Sequence, residues 1–144
     1  MRIWPFSRRK TGDGEPRAAQ SGRWGEAQAE RALRAKGFTI LGRRVRIGTR
    51  DELDLVARDG AVLVFVEVKT RKSEDFGRPF ASVDRDKRRA LSRAAVRYLK
   101  KLRDPRVPFR FDVVEVVGAP GDAAPAVRHV PNAFPLNRRL TLPC

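Results

Sequence analysis

Two short stretches of this sequence place carboxylates and a lysine among apolar residues, where an isolated charge is costly. Glu52 and Asp54 alternate with leucines in DELDLV, and Glu67 and Lys69 interrupt the apolar run AVLVFVEVKT. A charge inside such a run must be paired, bound to a metal or part of a site. Three acids and one lysine that converge would repel one another without a cation among them. Oxygen ligands of this kind favour Mg²⁺ or Mn²⁺.

Two strands joined by a tight turn would bring these four residues together. The apolar run is rich in β-branched residues, which predicts a strand covered on both faces. Asp59-Gly60 separates it from DELDLV and is a strong hairpin signal. A two-residue turn sets Glu52 opposite Glu67, whereas a four-residue loop sets Asp54 opposite Glu67. Either even-length loop puts all four charged residues on one face, because side chains alternate with period two.

The segments before the hairpin predict a helix and two short strand segments. Ser21 is a plausible N-cap for a helix that runs to about Lys36, with Gly37 at its C-terminal cap. Glu26 lies near the start of this helix, directly after Gly25, where a close approach to another element would be possible. The two strand segments then cover 38–41 and 44–47.

The segments after the hairpin predict one long helix and one further strand. The helix runs from Ser82 or Asp84 to about Leu102, with an apolar stripe at three- and four-residue spacing. Lys87 falls on that stripe, so it either snorkels at the helix start or reaches back towards the open end of the hairpin to a phosphate. FRFDVVEVV, 109–117, is a strand, and the tail from residue 118 is loop-like with a short VRHV segment. The order α-β-β-β-β-α-β predicts an α/β fold, a mixed sheet flanked by helices.

The length and net charge of the chain limit its domain organisation and the class of partner that it can bind. A chain of 144 residues supports one domain, predicted at 21–134, between a disordered basic arm (1–20) and a C-terminal tail (135–144). A net charge of +15 indicates a polyanion partner, most commonly nucleic acid, unless it reflects an arginine-rich proteome. One cysteine and one histidine exclude disulfides and Cys- or His-rich metal sites. Without an apolar stretch for a signal peptide or membrane span, no membrane partner is expected, and a reducing cytoplasm is the default.

Basic residues near the hairpin are the predicted nucleic-acid contacts. Part of the set follows the second hairpin strand, in a loop (72–81) that either tracks a phosphate backbone or is a plain surface connection. The rest lies on the long helix. The set comprises Arg71, Lys72, Arg78, Arg85 and Arg88.

Asp54, thirteen residues before Glu67, and Lys69 two residues after it resemble the signature of the PD-(D/E)XK nuclease superfamily. Hydrolysis of a phosphodiester needs an activated water and stabilisation of developing negative charge. Asp54, Glu67 and the Val68 main-chain carbonyl could hold a metal for both purposes. Lys69 would orient or deprotonate the water and stabilise the charge on phosphorus oxygens.

A longer resemblance runs from about Gly22 to Phe134. GRWGEAQAERAL, DELDLVA, VFVEVKTR, Lys87, RFDVVEV and HVPNAF together resemble the YraN family of small bacterial proteins, predicted endonucleases similar to archaeal Holliday junction resolvases. The resemblance implies a restriction-endonuclease-like fold and a metal site joined by an acid of the first helix, here Glu26. It makes Glu52 and Lys87 accessory residues. Asp51 departs from the family, which usually has Gly there, so it either perturbs the turn or adds a ligand.

Three hypotheses follow. The first is a Mg²⁺-dependent endonuclease acting on branched or otherwise structured DNA, working as a homodimer if it cuts two strands symmetrically. The second is a non-catalytic nucleic-acid-binding protein on a nuclease scaffold. The third is a structural or ribosome-associated RNA binder. The intact Asp54, Glu67 and Lys69 favour the first, because acids near a phosphate surface repel DNA unless a metal bridges them.

Overall fold

The first helix begins earlier than the sequence predicts. The computed structural model describes residues 16–75, 77–137 and 139–140, so most of the predicted arm lies outside the described residues. Helix α1 spans Arg17–Ala35 and follows Pro16. Proline has the backbone φ that a helix start requires, here −57°. The prediction of Ser21 as the N-cap is therefore wrong, and residues 17–20 belong to the helix.

The predicted C-terminal cap of α1 is confirmed. Gly37 adopts a φ of +91°, a left-handed conformation that glycine accepts without a steric penalty. The amides of Gly37 and Phe38 donate hydrogen bonds to the carbonyls of Arg34 and Leu33. This is the Schellman pattern, which satisfies carbonyls left without partners at a helix end.

Five strands form one mixed sheet in the order β1-β2-β3-β4-β5. Their bounds are β1 Thr39–Ile47, β2 Asp51–Asp59, β3 Val62–Arg71, β4 Phe109–Val117 and β5 Ala126–Phe134. Neighbouring strands are antiparallel except for the central pair β3 and β4, which is parallel. A parallel pair needs a crossover. A short 3₁₀ helix, Pro79–Ser82, and helix α2, Arg85–Lys100, provide it.

The predicted α/β class, a mixed sheet flanked by helices, is confirmed and agrees with a restriction-endonuclease-like fold. The element order differs in two details and reads α-β-β-β-α-β-β. The two segments predicted at 38–41 and 44–47 form one strand, β1, which begins at Thr39 and is irregular between Ile40 and Gly42. The tail that looked loop-like contains β5. This strand lies at the sheet edge with only Phe134 buried, so it lacks the apolar alternation by which strands are recognised.

Two apolar layers pack on opposite faces of the sheet. Phe65 of β3 packs towards α2, where its ring meets Tyr98 edge to face at 5.5 Å between centroids. Val64 and Val66 pack on the other face with Leu33 of α1. The prediction that β3 is covered on both faces is confirmed. Among the described residues, no helix is long and apolar enough to span a membrane.

The hairpin register is the one that sets Asp54 against Glu67. Arg58 pairs with Leu63 and Leu55 pairs with Val66, as predicted for a four-residue loop. The paired ladder ends at Leu55–Val66, so Asp54 and Glu67 are the first residues beyond it. The alternation of β2 also breaks here, because Leu53 packs towards α2 and Leu55 towards α1. The two carboxylates thus lie where β2 and β3 separate.

Candidate active site

A cavity of about 590 Å³ opens where β2 and β3 separate, between the first turns of α1 and α2. The residues that line it come from four separate segments of the chain. Of the predicted site residues, its walls include Glu26, Asp54, Glu67, Val68, Lys69, Arg71, Lys72 and Lys87. The fold therefore brings three of the four predicted acids, Glu26, Asp54 and Glu67, to the walls of one cavity that also carries cations.

Asp54 and Glu67 form a close pair of carboxylates at the base of the cavity. The Val68 amide donates a hydrogen bond of 2.9 Å to Asp54 Oδ2. The Asp54 carboxylate thus accepts the hydrogen bond that a main-chain carbonyl of a paired strand would otherwise accept. Glu67 is only 3% exposed. Burial raises the pKa of Asp54 well above its usual range, and the charge of Glu67 and a hydrogen bond with it raise it further. Such a pair is stabilised by a shared proton or by a cation.

Lys87 extends from the first turns of α2 to this pair. Its Nζ lies 3.0 Å from Glu67 Oε2, which confirms that this helix start faces the open end of the hairpin. No well-directed hydrogen bond from a described residue reaches Glu67 Oε2. Burial lowers the pKa of Lys87, but the interaction with Glu67 outweighs it and the pKa rises above the ordinary value. Lys87 is therefore a fixed positive charge beside the acids.

Glu26 of α1 lines the cavity, and its carboxylate is bound by an arginine that the sequence does not single out. Arg44 Nε donates a hydrogen bond of 2.7 Å to Glu26 Oε2. Burial raises the pKa of Glu26 to about 6, against the lowering effect of Arg44, and the charge of Asp54 contributes to the rise. Arg44 has a φ of +47°, a backbone conformation that is uncommon for residues other than glycine. Residues held in such conformations occur more often at functional sites. No pattern in the sequence indicated this contact.

Gly25 explains how α1 comes close enough to place Glu26. A Cβ at this position would overlap Thr70 Oγ1 and lie 3.0 Å and 3.1 Å from Thr70 Cβ and Cγ2. The close approach expected at Gly25 is confirmed, and the neighbour is the end of β3. Only glycine permits this separation between α1 and β3.

The remaining predicted residues near the cavity have looser contacts. Lys69 is half-buried on the cavity wall and forms no ion pair with any described residue. Arg71 and Lys72 are exposed at the mouth of the cavity. Glu52 does not line the cavity, although its charge contributes to the raised pKa of both Glu26 and Lys87. The side chains of Lys69, Arg71 and Lys72 are therefore available to a ligand that enters the cavity from solvent.

Arg78, Arg85 and Arg88 lie away from the cavity. Arg78 pairs with the fully buried Glu115, which also accepts a hydrogen bond of 2.9 Å from the Phe80 amide. Glu115 thus attaches the connection after β3 to the sheet. Arg85 and Arg88 line a separate recess on α2. Of the predicted nucleic-acid contacts, two therefore lie at the cavity and two at the recess, and Arg78 lies at neither.

Asp51, where the resembled family usually has Gly, joins β2 to α2. Its carboxylate accepts hydrogen bonds of 2.8 Å and 2.7 Å from Arg93 Nε and Nη2. The hydrogen bond from Arg93 is the main cause of a lowered pKa for Asp51. Of the two alternatives for this extra acid, the structure favours neither a metal ligand nor a perturbed turn, since β1 and β2 pair through Ile47–Asp51.

The donor set fits a cation that keeps much of its water. Within the described residues, no three His, Cys, Asp or Glu side chains converge as ligands would in a complete protein cage. Asp54 and Glu67 nevertheless form a buried, mutually repelling pair, and Val68 lies beside them. Mg²⁺ is commonly held by one or two carboxylates, with water and substrate phosphate completing its coordination. Asp54, Glu67 and the Val68 carbonyl are the candidate ligands on this chain.

Comparison with known proteins identifies relatives across most of the chain. The model of the uncharacterised protein family UPF0102 matches residues 25–116. A UPF0102 protein of Symbiobacterium thermophilum is 46% identical over 113 residues, covering 78% of this chain and 94% of that protein. One of Desulfosudis oleivorans is 42% identical over 118 residues, covering 82% and 92%. These matches agree with the resemblance drawn from the motifs, and the chain belongs to the uncharacterised protein family UPF0102.

Proposed function

We propose that this protein is a metal-dependent endonuclease that hydrolyses phosphodiester bonds in DNA. The observation that carries the proposal is the buried pair of Asp54 and Glu67 at the base of a cavity with cationic walls. A surface that only bound polyanions would gain nothing from acids at its centre, because they repel phosphate. A cation bridging acids and phosphate resolves this conflict.

Each wall of the cavity suits one part of the reaction. A Mg²⁺ or Mn²⁺ ion held by Asp54, Glu67 and the Val68 carbonyl would supply Lewis acidity and lower the pKa of bound water. Lys69 is free of ion pairs with the described residues, so its ammonium can orient the attacking water and stabilise charge on the phosphate. Lys87 keeps Glu67 in place and adds positive charge at the same point.

Glu26 and the residues at the mouth of the cavity have separate roles. Arg44 fixes the orientation of the Glu26 carboxylate, which faces the electrostatic field of Asp54. With a pKa of about 6, Glu26 is mostly ionised near neutral pH and can accept a hydrogen bond or a proton from water. Arg71 and Lys72 are exposed beside it and can hold the phosphates that flank the scissile bond. Branched DNA is the proposed substrate, as the similarity to junction resolvases implies.

Cleavage assays test the proposal directly. Purified protein is titrated with Mg²⁺ and with Mn²⁺ in the presence of labelled four-way junction, flap, single-stranded and duplex DNA. We expect metal-dependent cleavage that Asp54→Asn and Lys69→Ala abolish, while DNA binding measured in EDTA stays nearly unchanged. Asp59→Asn is the matched control, because Asp59 lies on the same strand but at the turn, where it pairs with Arg110. Absence of cutting on every substrate with either metal would refute the catalytic proposal.

The second candidate is a nucleic-acid-binding protein that does not cut. The ion pair between Lys87 and Glu67 favours it, because it partly neutralises the acids without a metal. On this alternative, Asp54→Asn leaves binding and its salt dependence unaltered, no metal changes the affinity, and changes of basic residues on α2 weaken binding. Metal-dependent tightening of DNA binding that Asp54→Asn removes would exclude it.

A further inference from the structure

We propose a second phosphate-binding site on the exposed side of α2, separate from the acidic cavity. It is a recess of about 270 Å³ whose walls include three arginines of the first turns of α2 and the aromatic residue that ends β5. These are Arg85, Arg88, Arg89 and Phe134. Among the residues that the structure describes, none of those lining the recess is acidic.

Arg88 is held in a fixed conformation at the base of this recess. Its guanidinium lies over the rings of Phe80 and Phe134, at 5.6 Å and 5.4 Å from their centroids. Its Nε donates a hydrogen bond of 2.9 Å to the Val83 carbonyl. A guanidinium immobilised in this way has already lost most of its side-chain freedom, so its terminal N–H groups bind a phosphate at small entropic cost.

Arg85 and Arg89 complete the site with charge that no described acid neutralises. They lie one helical turn apart, both are exposed, and neither forms an ion pair with a described residue. Two positive charges at this spacing repel each other. An anion bound between them would replace this repulsion with attraction. Two other arginines on or near α2 are paired, since Arg93 is bound to Asp51 and Arg78 to Glu115.

The geometry of α2 links this recess to the proposed substrate. Lys87 enters the acidic cavity while its neighbour Arg88 enters the recess, so the two sites lie on different sides of one helical turn. A helix with its side chains is about 10–12 Å across, and roughly three nucleotides of one strand cover the same distance. The assignment of the ligand to a nucleic-acid backbone rests on the proposed function, whereas the affinity for phosphate does not.

Binding without cleavage tests the site. The double variant Arg85→Gln/Arg89→Gln is compared with Lys100→Gln/Lys101→Gln, which removes the same charge at the opposite end of α2. Both are made in the Asp54→Asn background and measured with EDTA, by fluorescence anisotropy on single-stranded and duplex DNA between about 50 and 200 mM salt. Arg88 is left unchanged because it packs against Phe80 and Phe134.

We expect the Arg85/Arg89 variant to bind about ten-fold more weakly near 0.1 M salt, with a salt slope lower by about 1–2, and the control to change far less. Inorganic phosphate should compete in the parent protein and lose its effect in the variant. Equal losses in both double variants would overturn the site. Phosphate binding at the recess with unchanged DNA affinity would overturn the assignment to nucleic acid. Neither result depends on cleavage, so failure of this proposal is separable from failure of the nuclease proposal.

Discussion

Replacement of Gly25 by alanine should shift α1 away from the sheet and displace Glu26. The added Cβ would overlap Thr70 Oγ1, and rotation of the threonine does not clear the space because Thr70 Cβ and Cγ2 are already 3.0 Å and 3.1 Å away. Ordinary contacts between such atoms are roughly 3.5–4 Å. Either the helix or the end of β3 must therefore move by about 0.5–1 Å to restore ordinary packing.

The magnitude follows from two opposing effects. Overpacking of this kind costs about 1–3 kcal/mol. Alanine in place of glycine inside a helix returns about 0.5–1 kcal/mol. We therefore expect Gly25→Ala to lower the free energy of unfolding by about 1–2 kcal/mol. With a urea m-value of about 2 kcal/mol/M, the middle of the range for a small protein, the midpoint falls by roughly 0.5–1 M.

Urea denaturation of two glycine variants provides the assay. Gly22 lies three residues earlier in the same helix, and a Cβ there would meet only Arg44 Nη2 at 3.9 Å. Gly22→Ala should therefore gain the helix-propensity benefit and stabilise the protein by about 0.5–1 kcal/mol. Adding Thr70→Gly to Gly25→Ala should recover part of the loss beyond the sum of the single effects, which a double-mutant cycle measures.

A Gly25→Ala variant as stable as Gly22→Ala, with no coupling to Thr70, would refute the account of a sterically required glycine. Activity offers an independent reading if the protein is a nuclease. A displacement near 1 Å at a positioning residue can reduce cleavage by about 100-fold, and Gly22→Ala should retain activity.

Three further predictions concern buried charges. Asp51→Ala should cost about 1.5–2 kcal/mol in urea denaturation, the low end for charged hydrogen bonds, because Arg93 is 30% exposed and can rehydrate; an unchanged midpoint would contradict the role given to this pair. Asp112→Asn should cost about 3 kcal/mol or more, since the carboxylate is fully buried and accepts hydrogen bonds from Arg110, His129 and the Asn132 amide; a loss below about 1 kcal/mol would argue against this network. The pKa of Glu26 is raised from 4.5 to about 6, so its contribution to stability is full below pH 4.5 and is lost as the pH rises through 6. Glu26→Gln should therefore become more favourable relative to wild type by about 2 kcal/mol between pH 4.5 and pH 7.5, and a pH-independent difference would contradict the raised pKa.

Local patterns determined the central hairpin and its neighbours. The apolar run of β3, the Asp59-Gly60 turn and the stripe of α2 depend on hydrogen bonds and side-chain periods within a few residues, and such features are readable from sequence. Counting from the turn left two registers for the hairpin, and the one that sets Asp54 against Glu67 is present. The strand at 109–117 was also predicted correctly.

The docking of helices decided the rest. Lys87 and Glu67 are twenty positions apart, and Arg44 and Glu26 eighteen, so their contacts depend on how α1 and α2 lie on the sheet. Period-two counting could not foresee the break in β2 at Asp54, where the strand leaves its partner. The edge strand β5 had no apolar alternation by which to be recognised. Sequence therefore determined which residue types gather at the hairpin, and tertiary packing decided which cation meets which acid, because long side chains find partners only after the elements that carry them have packed.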